Sequence, residues 1–228
     1  MSFLSGLTPP ESMRDRFTSD RAMLADQFPG LRHYVRGSGG ALVQGTVDVD
    51  IGAGVFEPVV VDLDFGPSYP RVPPRVFDAA RRWAPVDDRH LMWNHEFCLW
   101  LEHVDRPDVS TTDGLRTFLL RLLPFLRDQF VFDDLGRWPN TDWAHHADRA
   151  YAQHLVEQLG VKDSATFDAL WPYVLGTDHH AARRCPCGSL VAYGHCHRDA
   201  IESLSWVKSL GVRDALPATV KERLAGVA

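Results

Sequence analysis

The sequence predicts an α+β protein in which helices flank an antiparallel sheet and a small helical, metal-binding segment follows. Two stretches, Ala41 to Ile51 and Val55 to Phe65, alternate apolar and polar residues as half-buried strands do. From Leu115 to Phe130, apolar residues recur every three or four positions, which indicates a core helix. Because each strand has one polar side, the sheet is expected to be antiparallel with one face exposed to solvent.

The first half of the chain contains the first helix and the strands. An amphipathic helix is predicted from Pro9 to Phe28, and it ends at the Pro-Gly dipeptide that follows. The two alternating strands are joined by a glycine-rich turn and form a hairpin. Pro70, Pro73 and Pro74 precede a short strand from Arg75 to Asp78, because prolines, which lack an N–H donor, can flank an edge strand.

The second half is predicted to be mostly helical. A long irregular passage from Ala79 to Glu96 comes first and leads to Cys98, and long loops inside a compact domain are often functional. The core helix follows, and Pro124 inside it is expected to kink it or to divide it into two pieces. Two later helices are expected, one capped at residues 140–142 and ending at Gly160, the other from Ser164 to Val174.

Length, charge and cysteine usage narrow the classes of function. A chain of 228 residues can hold a main domain, predicted over residues 1–160, and a smaller C-terminal segment, residues 161–228. The net charge of -6 disfavours non-specific binding of nucleic acid. The chain has neither a secretion signal at its start nor an apolar run long enough for a membrane helix. We therefore expect a cytoplasmic protein without a membrane span.

A cluster of cysteines and a histidine near the C-terminus has the composition of a zinc site. Cys185, Cys187, Cys196 and His197 supply four donors, the number that closes a tetrahedral shell. Around them the sequence CPCGSLVAYGHCH resembles the SEC-C motif, a short zinc-binding module whose four ligand positions match these residues. The lysines usual in that module are replaced here. The resemblance implies a structural zinc at 185–197, since four protein ligands leave no position for water or substrate.

Cys98 lies outside this cluster, and the residues around it leave two interpretations open. Between apolar neighbours it can be a small buried hydrophobic residue. It is also a candidate nucleophile, because a long loop precedes it and three imidazoles lie close in sequence, those of His90, His95 and His103. An imidazole folded beside the thiol would lower its pKa or carry protons.

The order of the elements around Cys98 resembles the ubiquitin-conjugating enzyme (UBC) fold. Tyr-Pro at 69–70, Pro-Pro at 73–74 and Phe-Cys-Leu at 97–99 match that family's strand and the context of its catalytic cysteine. The segment at 138–142 is similar to its proline-asparagine turn. The family's His-Pro-Asn triplet is absent upstream of Cys98. Divergent bacterial members, found with ubiquitin-like proteins in antiviral defence operons, also commonly lack the triplet, and this chain is more similar to them.

The resemblance implies covalent catalysis through Cys98. The cysteine would accept the C-terminus of a ubiquitin-like protein from an activating enzyme as a thioester, which an amine of a protein target would then attack. Asn94 or one of the histidines His90, His95 and His103 would orient or polarise the thioester carbonyl.

The resemblance also implies that the first helix docks the activating enzyme, with Arg14, Arg16 and Arg21 as candidate contacts. The alternative is a catalytically inactive UBC-fold scaffold, in which Cys98 is buried and the zinc module supplies an interaction surface. A zinc-dependent nucleic-acid binder is a third hypothesis, and the net charge of -6 disfavours it.

Overall fold

A computed structural model describes residues 11–35, 40–139, 144, 146–176, 181 and 183–226 of the chain. It separates into two compact units, the first formed by Met1–Trp100 and Asp105–Thr141, the second by Leu101–Val104 and Asp142–Ala228. The border therefore differs from the one expected after residue 160. The helix before Gly160 belongs to the second unit because its apolar residues, among them Leu155, pack into that unit's core. Among the described residues, no helix is long and apolar enough to cross a membrane.

The first unit contains a four-stranded antiparallel sheet whose strands follow one another in chain order. Helix α1 (Glu11–Gln27) precedes it, as predicted. The strands are β1 (Leu31–Val35), β2 (Ala41–Gly52), β3 (Val55–Phe65) and β4 (Arg75–Asp78). Strands β2, β3 and β4 are confirmed, whereas β1 was not predicted, because its pairing with β2 rather than its own sequence makes it a strand.

The sheet buries the face that the alternation of β2 and β3 predicts. Val43 of β2 pairs with Leu63 of β3, and both side chains are buried. The next pair turns outward, where the Gln44 side-chain amide donates to Asp62 Oδ1 at 2.5 Å. This order follows from the two-residue period of a strand, because a shift of one residue would expose every apolar side chain.

Helix α2 (Thr112–Leu135) packs among the buried residues of the same core. It begins where the sequence predicts, because Thr111 Oγ1 accepts the N–H of Gly114 at 3.0 Å as an N-cap. Of the two outcomes expected at Pro124, a kink or a division, the division is wrong, since the helix runs through this residue as one element. Burial of Leu115, Phe118, Leu119, Leu122 and Leu126 stabilises the continuous helix against the loss of one main-chain hydrogen bond.

The second unit is helical around its own core, which includes Leu155, Phe167, Leu204 and Leu216. Its helices are α3 (Ala147–Leu159), α4 (Ser164–Leu175), α5 (Arg198–Ser203) and α6 (Leu216–Leu224). Helices α3 and α4 were predicted, whereas α5 and α6 were not. The caps expected at 140–142 lie outside the described residues, and α3 begins only at Ala147, with His146 as its N-cap. Gly160 ends α3 with a φ of 60°, as predicted.

Candidate functional site

The four predicted metal ligands converge in the second unit. The donor atoms of Cys185, Cys187, Cys196 and His197 all lie within 4.8 Å of one another. The sulfurs of Cys187 and Cys196 are 3.6 Å apart, and His197 Nδ1 lies 3.2 Å from Cys185 Sγ and 3.1 Å from Cys196 Sγ. Two sulfurs bound at about 2.3 Å to one tetrahedral ion lie about 3.8 Å apart. The cluster therefore has the donors and the size to hold a metal ion.

A tight hairpin brings the two ligand pairs together. Gly188 follows Cys187 with a φ of 83°, a conformation that favours glycine, and it turns the chain after the first pair. The main-chain N–H of Cys185 then donates to Val191 O at 3.0 Å, and that of Tyr193 donates to Arg183 O at 2.7 Å. These bonds return the chain to its starting point, so that the second ligand pair faces the first.

His197 is held with one ring nitrogen toward the thiols. Its Nε2 lies 2.9 Å from the main-chain oxygen of Leu159, the last residue of α3. A carbonyl oxygen only accepts hydrogen bonds, so Nε2 carries the proton and donates it. Nδ1 is then left with a lone pair directed at the sulfurs. In metal-binding histidines, a hydrogen bond from the other ring nitrogen fixes the orientation of the ring in the same way. The C-terminal end of α3 thus fixes the fourth ligand.

The thiols of the cluster differ in acidity. Burial raises the pKa of the Cys185 thiol to about 12. Burial also opposes ionisation of Cys187, but hydrogen bonds from Ser189 and from the other two thiols outweigh it and lower the pKa to about 6. A metal ion bound here would displace the remaining thiol protons, because only thiolates ligate strongly.

Cys98 lies at the base of a short hairpin in the first unit, which we call the Cys98 hairpin (residues 90–98). The N–H of Cys98 donates to His90 O at 2.8 Å, and the N–H of Met92 donates to Glu96 O at 2.9 Å. Between these bonds, Leu91 pairs with Phe97, and both are buried. Because side chains alternate along a strand, burial of Phe97 turns Cys98 outward, and its side chain is exposed.

The three other predicted site residues lie in the same hairpin but serve different contacts. His90 is buried, and its ring packs at 5.3 Å from that of Trp138. Asn94 accepts the main-chain N–H of Glu96 at 3.1 Å and donates to its carboxylate at 3.3 Å. His95 Nδ1 lies 3.9 Å from Asp78 Oδ2, which is too far for a hydrogen bond. His90 therefore contacts Cys98 through its main-chain carbonyl oxygen.

His103, the third histidine of the sequence analysis, belongs to the second unit. Its ring stacks on that of Trp206, with centroids 5.8 Å apart and planes 12° from parallel. His103 is only five residues from Cys98 in the sequence. This short separation did not indicate that the two residues belong to different units.

Asp78, the last residue of β4, was not predicted to have a role at the site. Its buried carboxylate accepts the N–H of Trp83 at 3.0 Å, and its own N–H donates to His95 O at 2.9 Å. One residue therefore holds both the beginning and the end of the loop that leads to Cys98. The sequence did contain a signal for this role, because Asp78 occupies an inward-facing position of the predicted strand. A buried carboxylate is costly unless it is hydrogen-bonded.

The arginines of α1 have different surroundings. Arg16 Nε donates to both carboxylate oxygens of Asp20, at 2.9 and 2.8 Å, and its other nitrogens contact Tyr69 Oη and the main-chain oxygens of Val109 and Ser110. Arg16 therefore acts as an internal clamp, which explains why its side chain is only 14% exposed. Arg21 is exposed, and the side chain of Arg14 lies outside the part that the structure describes.

A small pocket opens one residue beyond Cys98. It has a volume of about 160 Å³. Leu99, Pro107, Phe118, Leu122 and Phe125 line it together with the charged side chains of Asp105 and Arg121. A cavity of about 150 Å³ accommodates one benzene-sized group. The pocket is therefore large enough for a single side chain, and its lining is both apolar and charged.

Comparison with known proteins adds no relative from which a role could be transferred. A scan against protein-family models, a search of curated proteins and a search of solved structures each found no match to this chain. Two features remain on which a function can be based: a cysteine-histidine cluster able to hold a metal ion and an exposed cysteine at the end of a long loop.

Proposed function

We propose that this chain is a ubiquitin-conjugating-like enzyme that carries a ubiquitin-like modifier as a thioester on Cys98. The observation that carries the proposal is the outward orientation of Cys98, at the base of a hydrogen-bonded hairpin that follows the Tyr-Pro and Pro-Pro strand. An acceptor of a protein-sized acyl group needs an exposed sulfur on a rigid support. The Cys98 hairpin supplies both, because its inner face is anchored by Phe97 in the core.

The reaction is two successive acyl transfers. The Cys98 thiolate attacks the thioester that joins the modifier to its activating enzyme, a new sulfur–carbon bond forms, and the enzyme's sulfur leaves as a thiolate. A neutral amine of the target then attacks the Cys98 thioester. An amide bond forms, Cys98 leaves as a thiolate, and the proton lost by the amine passes to solvent or to a nearby base.

The order of the elements in the first unit supports a UBC-like fold for it. A helix, an antiparallel hairpin, a proline-braced strand, a long loop, a cysteine and a core helix follow one another, as the resemblance implies. The alternative, an inactive scaffold, requires a buried Cys98, and the exposed side chain weighs against it. The pocket beside Leu99 is large enough for one side chain of the attached modifier.

The cluster in the second unit is proposed to hold a structural zinc ion. Three thiolates and one imidazole are a donor set that zinc favours, and they fill its tetrahedral shell without an open position. The ion would link the hairpin at 185–197 to the end of α3 through His197. Its role is then to fold the second unit, since the first unit contains the candidate nucleophile.

The proposed partners are a modifier, an activating enzyme and a protein target of a bacterial antiviral conjugation system in the cytoplasm. Of the three arginines expected to dock the activating enzyme, Arg21 is exposed on α1 and keeps this role in the proposal. Arg16 is assigned a structural role instead, because its donors contact Asp20, Tyr69 and main-chain oxygens.

The experiment is acyl transfer to the full-length, metal-loaded chain from a fluorescent peptide α-thioester, which replaces the unidentified modifier. We expect one adduct on Cys98 that dithiothreitol removes. Cys98→Ala should form no adduct, and Cys98→Ser should at most form an ester that dithiothreitol does not cleave. Absence of an adduct on the wild-type chain, or an unchanged adduct on Cys98→Ala, would overturn the proposal. Where neighbouring genes encode a ubiquitin-like protein and an activating enzyme, the same assay with these two proteins and ATP tests the natural reaction.

A further inference from the structure

Two cysteines of the cysteine-histidine cluster, Cys185 and Cys187, lie in a hairpin that exposes two neighbouring apolar side chains. We call this hairpin, residues 183–193, the cluster hairpin. The Leu190 side chain is 83% exposed, and that of Val191 is 47% exposed. Single exposed apolar residues are common on protein surfaces, whereas adjacent ones on a hydrogen-bonded element more often mark a binding surface. The charges and the main chain around them indicate what binds there.

Arg184 lies next to this apolar pair. It pairs with Ala192 across the hairpin, and beside that pair the N–H of Cys185 donates to Val191 O at 3.0 Å. Because side chains alternate along a strand, burial of Cys185 turns Arg184 to the outer face, and Arg184 is exposed. Val191 directly precedes Ala192 in the chain. The register of the hairpin therefore places a cation beside the exposed apolar residues.

The cluster hairpin has two cations, Arg183 and Arg184, and both are exposed. The Glu202 carboxylate lies within electrostatic reach of Tyr193 on this hairpin, but it forms an ion pair with Arg198 at 2.7 Å. Within the part of the chain that the structure describes, no carboxylate forms an ion pair with Arg183 or Arg184. Both charges are therefore available to a partner.

The strand that contains Arg184 also has an open edge. The hydrogen bonds that flank the pair of Arg184 and Ala192 come from the residues on either side, so the N–H and C=O of Arg184 point away from the other strand. No described residue bonds to either of these two groups. An extended main chain that runs along this edge can bond to both.

These features fit an extended acidic segment of a protein better than a phosphate-bearing partner. Two arginines would release only about two counterions from a nucleic acid and would gain about 1 kcal/mol each at an anionic membrane. The net charge of -6 opposes both, and neither partner bonds to the main chain of Arg184. A second copy of the chain, paired edge to edge, would bring the arginines of both copies together.

We propose that the cluster hairpin is a docking site for an extended acidic segment of a partner protein, which adds as a strand beside Arg184. Carboxylates of the segment contact Arg183 and Arg184, and an apolar side chain of the segment packs on Leu190. Main-chain bonds hold the segment, and the two arginines select its charge. This inference goes beyond the acyl transfer proposed for Cys98, because the docking site lies within the second unit.

The binding experiment uses a fluorescein-labelled nonapeptide in which glutamate and valine alternate. Fluorescence anisotropy is measured on the full-length, metal-loaded chain, and we expect a Kd below about 1 mM. A peptide with glutamine in place of glutamate should bind at least about tenfold more weakly, because it lacks the carboxylates. A peptide methylated on every main-chain nitrogen keeps the charges but has no N–H donor, and it should bind at least about fivefold more weakly.

Variants of the hairpin test the assigned side chains. Arg183→Gln and Arg184→Gln should each weaken binding at least about threefold, and the double variant should reduce its salt dependence. Leu190→Ser should also weaken binding at least about threefold, since it removes the apolar contact. Lys162→Gln is the matched control, because it removes one exposed cation of the same unit and should leave the affinity unchanged. Unchanged zinc content shows that each variant keeps the cluster.

Absence of binding by the glutamate peptide at about 1 mM would overturn the inference. Equal affinities of the double arginine variant and the wild-type chain would do the same, as would full affinity of the methylated peptide. Arginine-dependent binding of phosphatidylserine vesicles or of a single-stranded oligonucleotide, without binding of the peptide, would assign the surface to a phosphate-bearing partner instead. None of these measurements involves Cys98, so a failure of the proposed acyl transfer would not change their outcome.

Discussion

The cysteine-histidine cluster (Cys185, Cys187, Cys196 and His197) and the Cys98 hairpin position their sulfur atoms by different means. In the cluster, side chains from both ends of a 13-residue hairpin, 185–197, converge on one point, and His197 is oriented by Leu159 O. At the Cys98 hairpin, main-chain bonds and the buried Phe97 hold the cysteine, and its side chain faces solvent. In the proposal of a structural zinc, the cluster depends on its ion to fold, whereas the Cys98 hairpin depends on the apolar core beneath it.

Removal of the proposed zinc ion is expected to have the largest effect. Apparent binding free energies of structural zinc are about 10–16 kcal/mol, so a strong chelator or Cys196→Ala should unfold the second unit. Hydrogen exchange measured by mass spectrometry should lose protection over α3 to α6 and keep it over β2, β3 and α2. Metal analysis of the untreated chain should give about one zinc per molecule. If the second unit kept its protection from hydrogen exchange after chelation, its proposed dependence on the ion would be wrong.

Truncation of the core under the hairpin is expected to come next. Phe97→Ala removes a ring that contacts Trp83 and Phe125, at centroid distances of 6.1 and 5.5 Å. The cavity should lower the free energy of unfolding by about 3–5 kcal/mol, measured by urea denaturation. The control Phe56→Ala removes an exposed ring and should change it by less than about 0.5 kcal/mol. Equal effects of the two variants would mean that the core does not support the hairpin.

The clamp of α1 gives a third comparison, between two arginines on one helix. Arg16→Ala leaves the carboxylate of Asp20 buried without its cation and should destabilise the protein by about 2–3 kcal/mol. Arg21→Ala should leave the unfolding free energy within about 0.5 kcal/mol, because this side chain is exposed. In the proposed function, Arg21→Ala instead slows loading by the activating enzyme. A larger loss of unfolding free energy in Arg21→Ala than in Arg16→Ala would contradict the structural role assigned to Arg16.

A substitution of Ser189 tests how a neighbouring hydroxyl affects the proposed zinc site. Its Oγ lies 3.3 Å from Cys196 Sγ, and its hydrogen bonds help to lower the pKa of Cys187. Ser189→Ala should reduce zinc affinity about tenfold in competition with a chromogenic chelator. The loss should grow as the pH falls, because the thiol of the variant holds its proton more tightly. Ser209→Ala, which removes a hydroxyl bonded to Trp206 O, is the control and should not change the affinity.

Cys98→Ser is expected to have the smallest effect on stability. The side chain is exposed, so the unfolding free energy should change by less than about 0.5 kcal/mol and the zinc content should stay the same. In the proposed function, the same substitution abolishes the dithiothreitol-sensitive adduct. A loss of stability above about 1 kcal/mol would show that Cys98 packs as a core residue, as the scaffold hypothesis requires.

Local patterns explain which parts of the fold were predictable. Strands β2 and β3 were predicted because their side chains alternate, β4 because prolines precede it, and α2 because its apolar residues keep a helical period. Strand β1 was missed, since its pairing with β2 rather than its own sequence makes it a strand. The division of α2 that was one of the two expectations at Pro124 is wrong for a related reason: the local effect of proline is outweighed by burial along the whole helix.

The sequence by itself determined which four residues form the cysteine-histidine cluster and where the candidate nucleophile lies in the chain. Both follow from residue types within a few positions of one another, which short segments of chain can show. Only the tertiary structure decided that Cys98 faces outward, that Asp78 holds the loop before it, and that Arg16 clamps α1 to the main chain 94 residues away at Ser110. Such contacts join residues distant in sequence, and the burial and hydrogen bonding that create them arise only when the whole core forms.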